Sequence, residues 1–298
     1  MPMPKKAKTT DKAPHVKPAK LRVMVERTLK EASAKRRSRK ERAQDLVYDA
    51  MEAATEEQCL DFAWQALELD PEHPDALLMV LESTGMEGDG RIGALRRIVA
   101  VAAKRLGKKA FKEFAPHFWA ELDTRPYMRA RMQLAEELRT AGRLEEAIEE
   151  YEEMLVLNEN DNLGVRHHLL PCLLALSRMD EAGKLLKPYA GECDWNAAFA
   201  WGRVLERLLC GDEPGASKAL AAARKQNPHV EVYLKGHRKL PKNLPDSYSV
   251  GSKEEALCYA GPLLTAWTRH PEAQKWLAGQ SKMDSMDNMD RMDKLRWN

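Results

Sequence analysis

The sequence predicts an all-α protein, a right-handed α-solenoid of stacked antiparallel helix pairs. Three small residues, Ala147, Ala182 and Ala216, recur at separations of 35 and 34 residues, and each follows a short turn. A period of ~34 residues with two helices per period is typical of helical repeat arrays. The composition is dominated by residues that favour helix, and no run alternates between apolar and polar residues as a strand would.

Charge divides the chain into a basic arm and an acidic body. Residues 1–42 carry 15 Lys or Arg against 4 Asp or Glu, whereas the remaining residues carry 33 against 42. Four prolines and many lysines among the first twenty residues predict that this arm is largely disordered, because it cannot bury apolar surface. Folded structure is expected from Ala43 onwards.

The first half of the body predicts two helix pairs. In the first unit, over about 43–73, Thr55 and Gln58 form the pattern of a capping box that begins the second helix. A degenerate second unit is predicted over about 74–107. The next segment, 108–123, exceeds the period and is rich in phenylalanine, so we expect it to insert one or two extra helices.

The clearest unit spans 124–160. Thr124 is expected to cap its first helix and Pro126 suits the first helical turn. Two further units are predicted over 161–193 and 194–235, followed by a loop. A last unit over 252–280 begins at a second capping-box pattern, formed by Ser252 and Glu255. Residues 281–298 repeat Met-Asp, and we predict that they are disordered.

The segment 125–228 resembles the tetratricopeptide repeat family. Ala135 and Ala147 stand where the two helices of such a repeat cross closely. Tyr151 matches the large residue one turn further on, and Pro228 matches the proline that closes a unit. The resemblance implies an array of helix pairs whose first helices line a concave groove.

Two runs carry a narrower resemblance, Thr124–Arg131 and Glu153–Arg166. They resemble a tetratricopeptide-like family that includes the suppressor of tumorigenicity 7 proteins and bacterial relatives. The likeness covers about 120–280. It implies a fold and brings no catalytic residues with it.

These observations predict a non-enzymatic scaffold or adaptor that holds a peptide or helix of another protein in its groove. Arginine side chains bind carboxylates with two parallel hydrogen bonds, so an acidic peptide is a suitable ligand. The alternative is that the same arginines pair with neighbouring glutamates and hold the units together. The candidate peptide-binding residues are Arg125, Tyr127, Arg129, Arg131, Asn162 and Arg166.

An alternative function is that of a nucleic-acid- or ribosome-associated factor that uses the basic arm. Lysine and arginine neutralise phosphates without reading the base sequence. The arm could equally dock on the acidic body of its own chain. The candidate nucleic-acid-binding residues are Arg36, Arg37, Arg39 and Lys40.

One cluster has the residue types of a metal site: His167, His168 and Cys172. His168 and Cys172 lie four residues apart and could face one ligand, but no second pair at suitable spacing lies nearby. We favour the interpretation that they are packing residues of a repeat helix. The glutamates of 145–153 are interpreted as a solvated helix face, so the sequence predicts no enzyme, cofactor or metal site.

The remaining features concern the compartment. No apolar run reaches the ~18–20 residues of a membrane span, and the basic N-terminus lacks the apolar core of a secretory signal. The five cysteines form no C-x-x-C pair, which indicates reduced thiols. We therefore expect a cytoplasmic protein that binds neither a membrane nor a small-molecule substrate.

Overall fold

The structure, a computed structural model, describes residues 26, 37–187, 196–241, 243–245 and 247–280. These residues form helices, turns and irregular segments and contain no β-strand; one isolated β-bridge joins His117 and Asn158. The predicted all-α class is confirmed. Disorder was predicted for residues 281–298 and for most of the basic arm. Residues 281–298 and 1–36, except residue 26, lie outside the described residues, so that disorder stays a prediction.

The chain divides into two compact units, Met1–Ser83 and Thr84–Asn298. The boundary falls inside the predicted repeat over 74–107, so the two helices of that repeat belong to different units.

The smaller unit contains three described helices: α1 (Arg39–Met51), α2 (Glu56–Leu69) and α3 (Pro74–Ser83). Small apolar residues on all three form its core, with Leu46, Leu67, Leu69, Met79 and Val80 packed around them. Small side chains allow helices to approach closely, because little volume separates their backbones. The fully buried core residues are Ala43, Val47, Ala63, Ala66 and Ala76.

Helix α1 begins earlier than the predicted start of folded structure at Ala43. The Ser38 hydroxyl accepts a hydrogen bond from the Glu41 backbone N–H, and the Glu41 carboxylate accepts one from the Ser38 N–H. This capping box satisfies two backbone donors at the helix start. The predicted cap of α2 is confirmed, since the Thr55 hydroxyl accepts from the Gln58 N–H.

The larger unit contains α4 to α13. Two short 3-10 turns, Phe118–Ala120 and Leu122–Thr124, precede α5. The helices are α4 (Gly88–Phe114), α5 (Arg125–Thr140), α6 (Leu144–Leu157), α7 (Val165–Ala175), α8 (Met179–Leu186), α9 (Ala197–Leu209), α10 (Glu213–Gln226), α11 (Glu231–Leu234), α12 (Lys253–Trp267) and α13 (271–280).

The predicted insert over 108–123 begins with one helical segment, which follows a break at Gly107. The φ of +70° and ψ of 161° at Gly107 are not helical, so α4 consists of two helices that meet at this kink, and the second ends at Phe114. Such a positive φ suits glycine, which lacks a Cβ. Thr124 does not cap α5 as predicted, because its buried hydroxyl donates to the carbonyls of Phe118 and Glu121. Pro126 does occupy the first turn of α5.

Six helices of this unit form three successive hairpins, α5–α6, α7–α8 and α9–α10. Ala147, Ala182 and Ala216 are fully buried, and each is the fourth residue of the second helix of its hairpin. The spacing seen in the sequence therefore marks one structural position that recurs three times.

A second feature recurs at two of these turns. The Arg143 Nε donates to Glu146 Oε1 over 2.6 Å, and the Arg178 Nε donates to Glu181 Oε1 over 2.7 Å. In both cases an arginine just before the second helix pairs with a glutamate in its first turn. Such exposed pairs contribute little stability, but their repetition identifies equivalent positions.

Helix α9 packs tightly against α7 at Gly202. A Cβ added there would lie 2.7 Å from Leu170 Cδ2, closer than atoms normally approach. Glycine therefore allows the first helices of the second and third hairpins to pack directly against each other.

Four cysteines are described, and all four are free thiols: Cys59, Cys172, Cys210 and Cys258. Cys193 lies outside the described residues. Within the described ranges, no helix combines the length and apolarity that crossing a bilayer requires.

We expect the substitution Ala147→Leu to lower the free energy of unfolding by about 1–3 kcal/mol, because the larger side chain overpacks a fully buried crossing. The control is Glu149→Leu on the exposed face of α6, which should change this free energy by less than about 0.5 kcal/mol. Urea unfolding monitored by circular dichroism measures both. Equal stability of the Ala147→Leu variant and the parent chain would show that the helices do not cross tightly at this position.

Candidate binding surface

The surface on which a repeat array would hold its partner is formed by first helices, here α7 and α9. Helix α12 of the same chain packs against both of them. It also reaches α5, where the Arg139 Nη1 donates to Thr265 Oγ1 over 3.3 Å. Just beyond α12, the His270 Nε2 lies 2.8 Å from the Leu174 carbonyl oxygen of α7. The chain therefore covers this part of the predicted groove with its own helix.

The carboxylate of Glu255 fixes the start of α12. Glu255 is fully buried, and its Oε1 accepts hydrogen bonds from the Ala197 N–H and the Gln226 side-chain amide. Its Oε2 accepts from Asn227 Nδ2 over 2.9 Å and from the Gly251 N–H over 2.6 Å. A buried anion is tolerated only when donors surround it, and these donors come from α9, α10 and the approach to α12.

An irregular segment, which we name the strap, runs along α12 in the opposite direction; its described residues are 240, 241, 243–245 and 247–251. Leu240 lies against Gly261, and the Cys258 thiol donates to the Pro245 carbonyl over 3.8 Å. The Tyr248 and Tyr259 hydroxyls lie 2.7 Å apart. The side chains of Leu244, Tyr248 and Val250 on the strap remain exposed to 50%, 44% and 61%.

Aromatic rings enclose His167 beneath the strap. Its imidazole makes edge contacts with Phe199 and Tyr259, at centroid distances of 5.1 and 5.5 Å. Burial, together with the nearby positive charge of Arg166, lowers the pKa of His167 to about 4. Burial also raises the pKa of the Tyr259 hydroxyl. His167 is therefore neutral at physiological pH.

His168, the next residue of α7, lies beside Tyr151 of α6 and also contacts Tyr259 of α12. The ring centroids of His168 and Tyr151 are 6.1 Å apart, and His168 Nδ1 lies 3.5 Å from Glu136 Oε1. Burial is the main cause that lowers the pKa of His168 to about 3, and the positive charge of Arg139 adds to it. The two adjacent histidines thus both contact Tyr259, and both are held neutral.

The third member of the metal-like cluster, Cys172, is buried, and burial raises the pKa of its thiol to about 12. A thiol binds metal as the thiolate, which this environment disfavours. Across the described parts of the chain, no three His, Cys, Asp or Glu residues are grouped so that they could hold a metal ion. The geometry agrees with the interpretation that these three residues pack the repeat helix.

Arg131, a predicted peptide-binding residue, lies inside the first hairpin. Only 5% of it is exposed, and its Nε donates to Glu150 Oε2 over 2.6 Å. Its Nη1 donates to the Tyr127 hydroxyl over 3.0 Å, and Glu153 closes the network. Arg131 therefore joins α5 to α6, with Tyr127 of its own helix as a further partner, and this is the alternative role considered for the arginines.

The other predicted peptide-binding residues have different surroundings. Arg125 donates from Nε to the Trp119 carbonyl and lies 5.2 Å above the Trp119 ring. Arg166 pairs with Asp161 and donates to the Glu159 carbonyl. Arg129 is half-buried and Asn162 is exposed. Because Tyr127 and Arg131 are buried, the six residues do not all line one open surface.

Three of the candidate nucleic-acid-binding residues, Arg37, Arg39 and Lys40, lie at or just before the start of α1. Arg36 is outside the described residues. Arg37 pairs with Asp45, and Arg39 Nη2 donates to the Glu68 carbonyl over 2.9 Å, whereas Lys40 is exposed. Binding of nucleic acid by this arm stays a prediction.

Sequence reasoning missed a cleft of about 500 Å³ between the α9–α10 corner and α13. A second lobe of about 310 Å³ lies across Trp276, beside Pro214 and Gln280. In the sequence near this cleft, the amphipathic pattern after Pro271 predicts a helix. It does not show which residues that helix packs against. The residues of the larger lobe include Leu208, Leu209, Glu213, Arg269, Ala273 and Trp276.

Comparisons with known proteins assign no family. No protein-family model matches the chain, and no curated protein matches it. The resemblance to tetratricopeptide repeats and to the suppressor of tumorigenicity 7 family therefore stays a prediction.

We expect the substitution Glu255→Gln to lower the free energy of unfolding by about 2–4 kcal/mol, because it turns one buried acceptor into a donor that faces other donors. The adjacent Glu254 is exposed, so Glu254→Gln provides the matched control and should change stability by less than about 1 kcal/mol. Denaturant titration of both variants makes the comparison. Similar losses in the two would contradict the role given to Glu255.

The buried histidines make stability depend on pH. An unfolded histidine takes up a proton near pH 6.5, whereas His167 and His168 do so only near 4 and 3, so the unfolded state binds more protons in between. The free energy of unfolding should therefore fall by about 2–4 kcal/mol from about pH 7.5 to about pH 5.

The double variant His167→Gln, His168→Gln should lose much less stability over this interval, whatever its stability at neutral pH. Replacing the exposed His237 by glutamine should leave the pH dependence unchanged. Urea unfolding at both pH values gives the slopes. A double variant with the parent slope would place the acid sensitivity elsewhere in the chain.

Proposed function

We propose that this chain is a non-enzymatic scaffold that binds another protein, built as a right-handed tetratricopeptide-like array. Two repeated features support the array. One is the buried alanine at the fourth position of α6, α8 and α10. The other is the arginine–glutamate pair at two of the three turns. Proteins built from such repeats use extended surfaces to bind other chains.

The proposed binding surface is the outer side of the strap and not the bare surface of α7 and α9. Helix α12 already occupies that inner surface, and Glu255 anchors it there with donors from α9 and α10. A partner peptide that entered between α12 and α7 would have to break these buried hydrogen bonds. The cost of leaving a buried carboxylate without donors makes that route unfavourable.

The observation that carries the proposal is the exposure of Leu244, Tyr248 and Val250 within seven residues of the strap. Apolar side chains that share a surface segment and remain in water mark sites where another molecule can bury them. The strap is fastened to α12 at Tyr248 and Pro245, so these side chains are presented from a backbone that is already held. The partner we propose is a peptide segment or helix with apolar side chains of its own.

A photo-crosslinking amino acid in place of Leu244 tests this proposal in the full chain. We expect it to capture a defined partner in cells or extracts. The matched control carries the same group in place of Val156, which is 72% exposed on α6. Adding Val250→Ser to the position-244 variant should reduce capture about tenfold or more, a loss of roughly 1.4 kcal/mol of binding free energy.

The comparison between the two positions decides the outcome. Capture of the same proteins at 244 and 156 would show that exposure alone explains the cross-links. Capture at 244 that Val250→Ser leaves unchanged would show that the strap is not the contact surface. Circular dichroism of each variant confirms that the helices are intact.

A further inference from the structure

The cleft around Trp276, whose larger lobe is mainly apolar, is not used by the proposed scaffold function. Trp276 is half-buried and separates two lobes of about 500 and 310 Å³. Leu208 and Leu209 form one wall of the larger lobe, and Ala273 lies on the helix that carries Trp276. The two lobes follow α13 over its ten residues, a length of about 15 Å at the helical rise.

Charged side chains stand around this apolar floor. Arg269 and Glu272 lie at the α13 side of the larger lobe, and Glu213 belongs to both lobes. An occupant that matches the cleft must therefore combine large apolar side chains with charges of both signs. The smaller lobe ends at Gln280, the last residue of α13 that the structure describes.

The sequence directly after Gln280 has this composition. Over 281–298 it places methionine at every third position, followed by a leucine and a tryptophan, and it carries four basic and four acidic residues. Methionine adapts to irregular gaps, and tryptophan contributes a large apolar area. The apolar residues are Met283, Met286, Met289, Met292, Leu295 and Trp297.

We infer that residues 281–298 of the same chain bind in the cleft around Trp276. Eighteen residues can span up to about 60 Å, several times the length of the cleft, so the segment can turn back from Gln280 and reach Leu208. Its acidic residues suit Arg269, and its basic residues suit Glu213 and Glu272. Attachment at the end of the cleft gives the segment a high effective concentration there, which favours it over a free peptide.

Limited trypsin digestion of the full chain tests this inference, with cleavage after Arg291, Lys294 and Arg296 followed by mass spectrometry. A synthetic peptide of residues 281–298 gives the rate for an unbound segment. We expect cleavage in the full chain to be at least about tenfold slower, because proteolysis follows the population of the open form. Trp276→Ala should restore most of the peptide's rate.

Two further variants make the result specific. Trp64→Ala removes another exposed tryptophan, on α2 of the smaller unit, and should leave the protection unchanged. Trp297→Ser changes the segment itself and should increase cleavage at Arg291 as Trp276→Ala does. This second variant leaves the residues of the cleft intact, so a folding defect cannot explain its effect.

Cleavage at the rate of the free peptide, or protection that neither Trp276→Ala nor Trp297→Ser reduces, would overturn the inference. Protection that increases with protein concentration, accompanied by a dimer in size-exclusion chromatography, would also overturn it, because the segment would then bind a second copy. The photo-crosslinking experiment at position 244 involves other residues, so the two proposals can fail separately.

Discussion

The carboxylate of Glu255 is the interaction on which the arrangement of the C-terminal half depends. It is buried among donors from the start of α9, the end of α10 and Gly251 just before α12. A shift of a purely apolar helix along α7 and α9 would cost little free energy. A buried carboxylate, in contrast, is stable only where hydrogen-bond donors surround it. This fixes the register of α12. Tyr259 then falls against His167, and Thr265 falls beside Arg139.

The larger unit uses polar residues mainly to hold its own helices together. Arg131 joins α5 to α6 through Glu150 and Glu153. The Asn227 carbonyl accepts a hydrogen bond from the Trp201 indole N–H, and the Asn227 amide donates to Glu255. Residues of these types also serve in recognition, so their identity does not reveal their role. Their burial does, because a side chain that is already satisfied inside the fold is unavailable to a partner.

Local features of the fold could be predicted from the sequence, whereas long-range ones could not. The spacing of Ala147, Ala182 and Ala216 predicted one recurring buried position, because each repeat places the same turn and helix start at the same point of its own sequence. Ser252 was correctly predicted to cap α12 and accepts from the Glu255 N–H. The Glu255 carboxylate, however, bonds to groups 28 and 58 residues away, and no local pattern encodes such partners.

In the candidate site, too, the local features could be predicted from the sequence and the long-range contacts could not. Spacing placed Arg131 on the first helix of a hairpin but could not give its burial, which depends on Glu150 and Glu153 of the next helix. The strap has no periodicity, so its path along α12 was not predictable. The Trp276 cleft also depends on a distant element, since its opposite wall is the α9–α10 corner. In each case the missing information was which elements lie side by side.

The position of α12 in the chain has a consequence for biosynthesis. Chains fold from the N-terminus as they emerge from the ribosome. Helices α7 and α9 are therefore complete while α12, which begins at Lys253, is still being translated. During this interval their apolar surface is open to the cell, and the nascent polypeptide is exposed to chaperones and to premature association. Translation of the final helices ends that exposure.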